Sequence, residues 1–170
     1  MIAQTKQDIL KLANQYMQDK ISSEELFQHT TQLIAAGIDC SRASIWRYTS
    51  GLANEVECLD LYDQGEKNHF SGFKLHEDDF HPYFDAMHRD NMIVASDARY
   101  HPATSCFNAL YFEPNGIYSL LDVGIHIHGT PFGLFCCENV TFVKEWNQEH
   151  IDFLRSAGTL MGMALRKAAS

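Results

Sequence analysis

The sequence lacks the short motifs that carry much of known enzyme chemistry. It contains no P-loop, no G-x-G-x-x-G and no G-x-S-x-G, and no serine or cysteine has a recognisable base in local register. The zinc-type spacings H-x-x-x-H and H-E-x-x-H are absent as well. We therefore expect a protein that is not an enzyme, and the sequence points to no particular cofactor.

A basic surface is also missing. The chain has 22 acidic residues against 13 lysines and arginines, a formal net charge of -9, and no basic cluster interrupts this excess. Because nucleic acids and anionic membranes are bound by basic surfaces, neither is an expected partner. No run approaches the roughly 20 apolar residues of a transmembrane helix, and the N-terminus does not resemble a signal peptide. These absences predict a cytoplasmic protein.

Cysteine is present, but not in the arrangements that bind metals or form disulfide frameworks. The five cysteines form no C-x-x-C pair, and the neighbours Cys136 and Cys137 point to opposite faces of a predicted strand. We therefore expect buried free thiols, kept reduced in the cytoplasm.

What the sequence does contain is a series of helical and strand patterns that suits one α+β domain over residues 1–170. Hydrophobic residues make up 45% of the chain, and a chain of this length buries about 70% of its unfolded surface in a single core. Apolar spacing predicts an N-terminal helix over residues 1–20 and a C-terminal helix over residues 147–168. The patterns between them predict strands at 42–49, 55–63, 70–75 and 92–96 and helices at 22–37, 78–89 and 104–113.

Residues 117–139 give the strongest single pattern, two buried strands joined by a turn. Apolar residues alternate with polar residues or glycine, and the run His-Gly-Thr-Pro at 128–131 supplies the turn. If Ile127 pairs with Phe132, one face is apolar and packs against the terminal helices. That face consists of Val123, Ile125, Ile127, Phe132, Leu134 and Cys136. The opposite, mixed face then carries Asp122, Gly124, His126, Gly133, Phe135 and Cys137, a combination that suggests a pocket.

The same hairpin resembles the GAF domain family, in particular the GAF domains of bacterial sensor kinases and cyclic-di-GMP signalling proteins. The matching segments are SRASIWRY, SDARYHPAT, SLLDVGIHIHGTPFGLFCCE and EWNQEHIDFL, which together span about residues 40–165. The resemblance implies a PAS-related central antiparallel sheet of five or six strands. N- and C-terminal helices would pack on one face, with a pocket on the other. It also implies a bacterial sensory domain that binds a small molecule and passes its state to a linked kinase or cyclase output domain or to a partner.

Several specialised members of that family have motifs that this sequence lacks. The cyclic-nucleotide run N-K-x-x-x-F-x-x-x-D-E of phosphodiesterases is missing, as is the cysteine pattern of the free methionine sulfoxide reductases. The chromophore cysteine of phytochromes is followed by histidine, whereas Cys106 is followed by Phe107. The resemblance therefore predicts a ligand pocket without naming its ligand.

The predicted pocket lies between the mixed face of the hairpin and the segment 97–118. Long connections with fixed polar and aromatic groups are where ligand sites usually occur. The candidate ligand-binding residues are Trp46, Tyr48, Asp97, Arg99, His101, Thr104, Phe107, Tyr111, Tyr118, Asp122, His126 and Phe135. With arginine and histidine as donors and aspartate as acceptor, this set suits a planar or weakly anionic metabolite.

Other interpretations stay open at the level of the sequence. Asp97 and Arg99 could pair with each other or cap a helix while the aromatic residues fill the core. The protein would then be a structural dimerisation module with an empty pocket. A metal or haem sensor is a third, less favoured interpretation, because His126 and His128 have strand spacing for ligands but His128 falls in the turn.

The C-terminal helix predicts a homodimer. Its apolar residues follow a heptad-like spacing of 3, 4, 3, 4, and its glycines form a small-residue stripe that permits close helix approach. The residues concerned are Leu154, Ala157, Met161, Ala164, Ala168, Gly158 and Gly162. We expect this helix and the N-terminal helix to pair with their copies in a second chain.

Overall fold

The computed structural model describes the backbone of residues 1–169 and the side chains of residues 1–166. Over these residues the chain forms five α-helices and seven β-strands. In chain order they are α1 (Ile2–Met17), α2 (Ser23–Ile38), β1 (Arg42–Tyr48), β2 (Glu55–Asp63), β3 (Asn68–Phe70), β4 (Lys74–His76), α3 (His81–Asp90), β5 (Met92–Ala95), α4 (Glu113–Asn115), β6 (Ile117–Ile127), β7 (Thr130–Val140) and α5 (Gln148–Ala169). A 3-10 turn (Ser105–Phe107) and a π turn (Asn108–Phe112) precede α4. None of the helices in this part of the chain is long and apolar enough to cross a membrane.

The strands form one antiparallel sheet in the order β3-β2-β1-β7-β6-β5, and β4 also pairs with β2. The predicted α+β fold with a central antiparallel sheet is confirmed. The sheet has seven strands rather than five or six, because the predicted strand at 70–75 divides into β3 and β4. Both short strands pair with β2, one after the other along its length.

Helices cover the two faces of the sheet unequally. The helices α1, α2 and α5 pack on one face, around a core that includes Ile9, Ile34, Ile45 and Phe153. The helix α3 and the 105–115 segment cover the other face, around a second core that includes Phe84 and Phe107. The terminal helices therefore lie on one face, as predicted, and the space for a site lies on the other.

Two helices begin at caps that the sequence encodes. The Ser22 hydroxyl accepts a hydrogen bond from the Glu25 amide at 3.1 Å, and the Glu25 carboxylate accepts one from the Ser22 amide at 3.3 Å. Before α5, the Asn147 side chain accepts from the His150 amide at 2.9 Å. Each such cap satisfies amides that have no partner within the helix and stabilises it by about 1 kcal/mol.

The β6–β7 hairpin differs from its predicted register. Its turn is the two-residue pair His128-Gly129, with positive φ at both residues, and Ile127 pairs with Thr130. A bulge then inserts Phe132 into β7, so that Ile125 pairs with Gly133. The shorter turn alone would have kept the predicted faces. The single inserted residue exchanges them along the rest of β7.

The predicted apolar face is consequently wrong for part of β7. Phe135 and Cys137 face the terminal helices, together with Val123 and Ile125 of β6. Leu134 and Cys136, predicted on that face, point to the other side of the sheet. Phe135 is thereby removed from the mixed face on which the sequence placed it.

The helix α5 crosses β6 at very close range. A methyl group at Gly162 would overlap the backbone carbonyl oxygen of His126, whereas one at Gly158 would lie 3.4 Å from the carbonyl oxygen of Gly124. The glycine stripe therefore brings α5 onto its own sheet.

The heptad-like seam of α5 is also used within the chain. Leu154, Ala157, Met161 and Ala164 are buried in the core shared with α1, α2 and the sheet. The surroundings of Ala168 lie outside the described side chains. Packing within one chain therefore explains the features that suggested a dimer, and self-association stays a prediction.

The two glycines of α5 should respond differently to replacement by alanine. We expect Gly162→Ala to destabilise the protein by about 1 to 3 kcal/mol, because the new methyl group would force α5 away from the sheet. Gly158→Ala should be neutral or stabilising by up to about 1 kcal/mol, since alanine favours a helix and the contact is an ordinary one. Urea denaturation of both variants checks this. Equal effects at the two positions would contradict the close crossing.

Candidate functional site

A small cavity lies on the face of the sheet that α3 and the 105–112 segment cover. Its volume is about 20 Å³, room for about one water molecule, whereas ligand pockets commonly measure roughly 300 Å³ or more. Its lining residues come from the sheet, α3 and the two irregular turns. They are Trp46, Val56, Leu75, Tyr83, Phe107, Tyr111, Leu120, Asp122, Leu134, Cys136 and Glu138. The cavity is thus a nearly closed space between apolar walls, with two acidic residues among them.

Aromatic side chains fill most of the space above the sheet. The ring of Phe107 lies 4.5 Å from that of Phe80, and it meets the ring of Tyr83 edge to face at 5.1 Å. Phe107 belongs to the 3-10 turn, which hydrogen bonds join to the connection that follows β5. The Thr104 hydroxyl donates to the Ala98 carbonyl at 2.6 Å, and the Asn108 amide group donates to the Arg99 carbonyl at 2.8 Å. This segment therefore forms the roof of the cavity.

Asp122 is the polar group that distinguishes the cavity. It lies in the middle of β6, is 2% exposed, and accepts a hydrogen bond from the Tyr83 hydroxyl through Oδ2. Its other oxygen, Oδ1, is buried without a hydrogen-bond partner. Burial raises the pKa of the Asp122 carboxyl to about 7, although the neighbouring groups of Cys136 and Tyr83 lower it. A buried carboxylate oxygen without a donor is costly and marks a candidate site.

The second carboxylate, Glu138, has its partners within the chain. Its Oε1 lies 3.3 Å from Arg42 Nε and accepts a hydrogen bond from the Tyr111 hydroxyl at 3.1 Å. The Arg42 guanidinium also donates to the Tyr111 hydroxyl at 3.2 Å. Burial raises the pKa of the Glu138 carboxyl, and the charge of Arg42 opposes this shift. Glu138 and Arg42 therefore form a structural ion pair, and both hold the Tyr111 hydroxyl in place above the cavity.

The structure brings four of the twelve predicted site residues into the cavity wall. They are Trp46, Phe107, Tyr111 and Asp122. Tyr48 packs partly buried against the same core. Burial, followed by the charge of Asp122, raises the pKa of Tyr48 to about 12.

Five of the predicted residues instead belong to the segment 97–118 without lining the cavity. Arg99 donates to the Ile117 carbonyl at 2.8 Å and stacks over the Tyr118 ring at 4.0 Å. The His101 ring accepts from the Ala103 amide at 3.0 Å, and Thr104 bonds within the segment. Asp97 is exposed. Arg99, His101, Thr104 and Tyr118 hold the segment in shape, because their polar and stacking partners lie within it or at the start of β6.

The remaining two predicted residues lie away from the cavity. Phe135 packs in the core under the terminal helices, on the opposite side of the sheet. His126 is exposed in an open groove between β6 and α5. The bulge exchanges the faces of β7, and β5 pairs with β6 only as far as Val123, so the end of β6 that carries His126 is unpaired on that side.

The cavity wall also contains residues that are not among the predicted site residues, notably Tyr83 and Glu138. Two signals could have identified them. Tyr83, Phe84 and Met87 follow helical spacing and mark the face of α3 that packs on the sheet. Glu138 is the acidic residue two positions after Cys136 in the segment that resembles the family.

Among the described residues, one group has three possible metal ligands close together. Glu77, His81 and Asp85 are four residues apart at the start of α3, with ligand atoms within 4.8 Å of one another. His81 and Asp85 are exposed. This group contains neither His126 nor His128, whose spacing had suggested a metal site.

The architecture is an α+β domain with a small cavity enclosed between its sheet and a covering segment. The profile of the GAF domain family matches residues 22–165, and the chain belongs to that family. No curated protein matches the chain.

Solved structures of the same fold include GAF domains of a phytochrome and of phosphotransferases. The chain is similar to the phycocyanobilin-bound GAF domain of a cyanobacterial phytochrome, with a TM-score of 0.79 and 13% identity over 96% of this chain and 94% of that one. It is also similar to the GAF domain of an Acinetobacter phosphoenolpyruvate-protein phosphotransferase, with a TM-score of 0.69 and 13% identity over 96% and 94%. A Coxiella burnetii domain of the latter kind gives a TM-score of 0.68 and 15% identity over 99% of both chains. At these identities the likeness establishes the fold alone.

The raised pKa of Asp122 predicts a specific pH dependence of stability. The folded state holds this proton up to about pH 7, whereas an unfolded aspartate, with a pKa of 3.8, loses it earlier. The free energy of unfolding should therefore fall as pH rises from about 4 to about 7 and then level off. Asp122→Asn removes this contribution, so its stability relative to the wild type should rise by roughly 3 kcal/mol between pH 5 and pH 8.

Urea denaturation at several pH values checks this prediction. The matched control is Asp97→Asn, the same change at an exposed carboxylate outside the cavity. The same pH-dependent difference in both variants would show that Asp122 is not its source. A pH-independent difference for Asp122→Asn would show that the buried carboxyl titrates normally.

Proposed function

We propose that this chain is a small-molecule-binding sensory GAF domain of a bacterial signalling protein, and that it acts without catalysis of its own. The observation that carries the proposal is Asp122 Oδ1, which is fully buried without a hydrogen-bond partner. It lies in the cavity on the face of the sheet that α3 and the 105–112 segment cover. A ligand that supplies the missing hydrogen bond would offset the cost of burying this group. Structurally similar domains bound to phycocyanobilin or to biliverdin support a ligand-binding role for the fold.

The roof of the cavity is suited to respond to a ligand. Anything larger than about one water molecule must displace lining side chains, and Phe107 and Tyr111 are the lining residues that belong to the covering turns. Both residues lie in consecutive 3-10 and π turns, and π turns recur at functional sites. Binding would therefore rearrange the 105–112 segment.

The cavity wall is also linked to the start of the C-terminal helix. The Trp146 indole donates to the carbonyl oxygen of Leu120, a cavity residue, at 3.0 Å. The Trp146 amide donates to the Ser96 hydroxyl, just before the segment, at 3.1 Å. We infer that a change in the roof passes through Trp146 to α5, and from α5 to an output domain or partner.

A second candidate function is a structural dimerisation module that binds no ligand. The cavity volume of about 20 Å³ favours it, since the side chains of the chain itself fill the space. In this alternative the raised pKa of Asp122, about 7, lowers the cost of burying the carboxyl without an external donor, because much of it is protonated near neutral pH.

Native mass spectrometry of protein purified from cells distinguishes the two functions. A sensory domain should carry an additional mass that is lost under denaturing conditions. Leu75→Trp, at a half-buried position of the cavity wall, should abolish the additional mass by filling the site. The matched control Leu52→Trp makes the same change at a residue that is 77% exposed and should retain it. Absence of a releasable mass from the wild type would favour the dimerisation module.

We further propose that the chain forms a homodimer through α1 and α5. Leu10 on α1 and Met163 on α5 remain exposed at 37% and 46% after the domain has folded. Light scattering of the 19.4 kDa chain at high micromolar concentration should give twice this mass. Replacing both residues by Glu should restore the monomer, whereas Leu52→Glu should not. A monomer in the wild type would contradict the proposal.

A further inference from the structure

The polar groups around the cavity form an asymmetric set. The Trp46 indole N–H donates to the Ser44 hydroxyl at 2.8 Å, and the hydroxyls of Tyr83 and Tyr111 donate to Asp122 and Glu138. Each of these strong donors is therefore already used. The acceptor Asp122 Oδ1, in contrast, has no hydrogen-bond partner.

The charges around the cavity point the same way. Among the described lining residues two are acidic, and none is Lys, Arg or His. Arg42, outside the lining, is paired with Glu138 at 3.3 Å. Asp122 is left without a cation, so that an ionised Asp122 would give the cavity an uncompensated negative charge. Burial strengthens the interaction of such a charge with a donor and also makes its isolation costly.

The remaining walls suit the same kind of ligand. Four aromatic residues line the space, and aromatic faces attract cations and planar N–H groups. The remaining donor of the lining is the Cys136 thiol, which is a weak donor and is already directed at Asp122. An anion would therefore enter a cavity that offers it almost no donor and a carboxylate beside it.

We propose that this cavity receives a protonated amine, an amidine or another N–H donor, whose head group binds Asp122 Oδ1 and whose apolar part lies against Trp46 and Phe107. The inference rests on the proposed ligand-binding function and narrows its ligand class. The sequence suggests a planar or weakly anionic metabolite, with Arg99, His101 and His126 as donors. The structure uses Arg99 and His101 within the covering segment and exposes His126 elsewhere. The donor must therefore come from the ligand.

Three molecules of one shape and different charge test this inference. Benzamidine is a cationic donor, benzamide is a neutral donor, and benzoate is an anion of the same planar size. We would titrate each into the isotopically labelled 170-residue chain at pH 8 and follow amide and methyl shifts of cavity residues by NMR. Benzamidine should bind at least about ten-fold more tightly than benzoate, the advantage expected of one charge-assisted hydrogen bond.

Variants connect this preference to Asp122. Asp122→Asn keeps the shape and an acceptor for Tyr83 but removes the charge, so benzamidine should weaken at least about ten-fold while benzamide changes little. Asp97→Asn should leave all three affinities unchanged, because Asp97 is exposed outside the cavity. Thermal melts of each variant establish that it is folded.

The outcomes separate this inference from the function on which it rests. Tighter binding of benzoate, equal binding of all three molecules, or no shift of cavity residues with benzamidine would overturn the ligand class. So would an Asp122→Asn variant that binds benzamidine as well as the wild type does. The sensory function itself fails only if the natural protein carries no releasable mass that Leu75→Trp abolishes.

Discussion

The single extra residue in the β6–β7 hairpin determines which side chains meet the terminal helices and which meet the cavity. Phe132 bulges out of the ladder, so Val123 pairs with Phe135 and Asp122 pairs with Cys136. The Asp122 carboxylate and the Cys136 thiol consequently face the cavity, while Val123 and Phe135 face α1, α2 and α5. Since strand side chains alternate strictly, a shift of β7 by one residue would move its side chains from each core to the other. Fold and site thus depend on the same local feature.

The two buried carboxylates on that face illustrate opposite ways of tolerating charge in a core. Glu138 is held by Arg42 and Tyr111, so its burial is compensated inside the chain. Asp122 has the Tyr83 hydroxyl and the weak Cys136 thiol beside it, and its Oδ1 remains without a hydrogen-bond partner. A fold selected for stability alone would place an apolar residue there, because an uncompensated buried acid is costly. Groups of this kind concentrate at sites where a ligand supplies the missing interaction.

Sequence patterns predicted the fold well because its signals are local. Helical spacing, the cap at Ser22 and strand alternation each depend on neighbours within a few residues. The side chains of β7 were misassigned because a bulge leaves no local signal. Gly133 is required by the neighbouring strand β1, since a side chain at Gly133 would overlap the Trp46 backbone. For the same reason Tyr83 was missed. Its partner Asp122 lies 39 residues away, and no pattern along the chain connects the two.

The position of Trp146 suggests why the site lies near the middle of β6. The indole bonds to the Leu120 carbonyl on the strand that carries Asp122, and its ring packs under the terminal helices. From there α5 crosses β6 so closely that Gly162 has no room for a methyl group. Closely packed interfaces of this kind shift between discrete arrangements rather than deforming gradually. In the sensory function that we propose, a ligand that moves β6 or the covering turns by a fraction of an ångström would therefore act on α5 through close contacts, because α5 packs directly on the strand that carries Asp122.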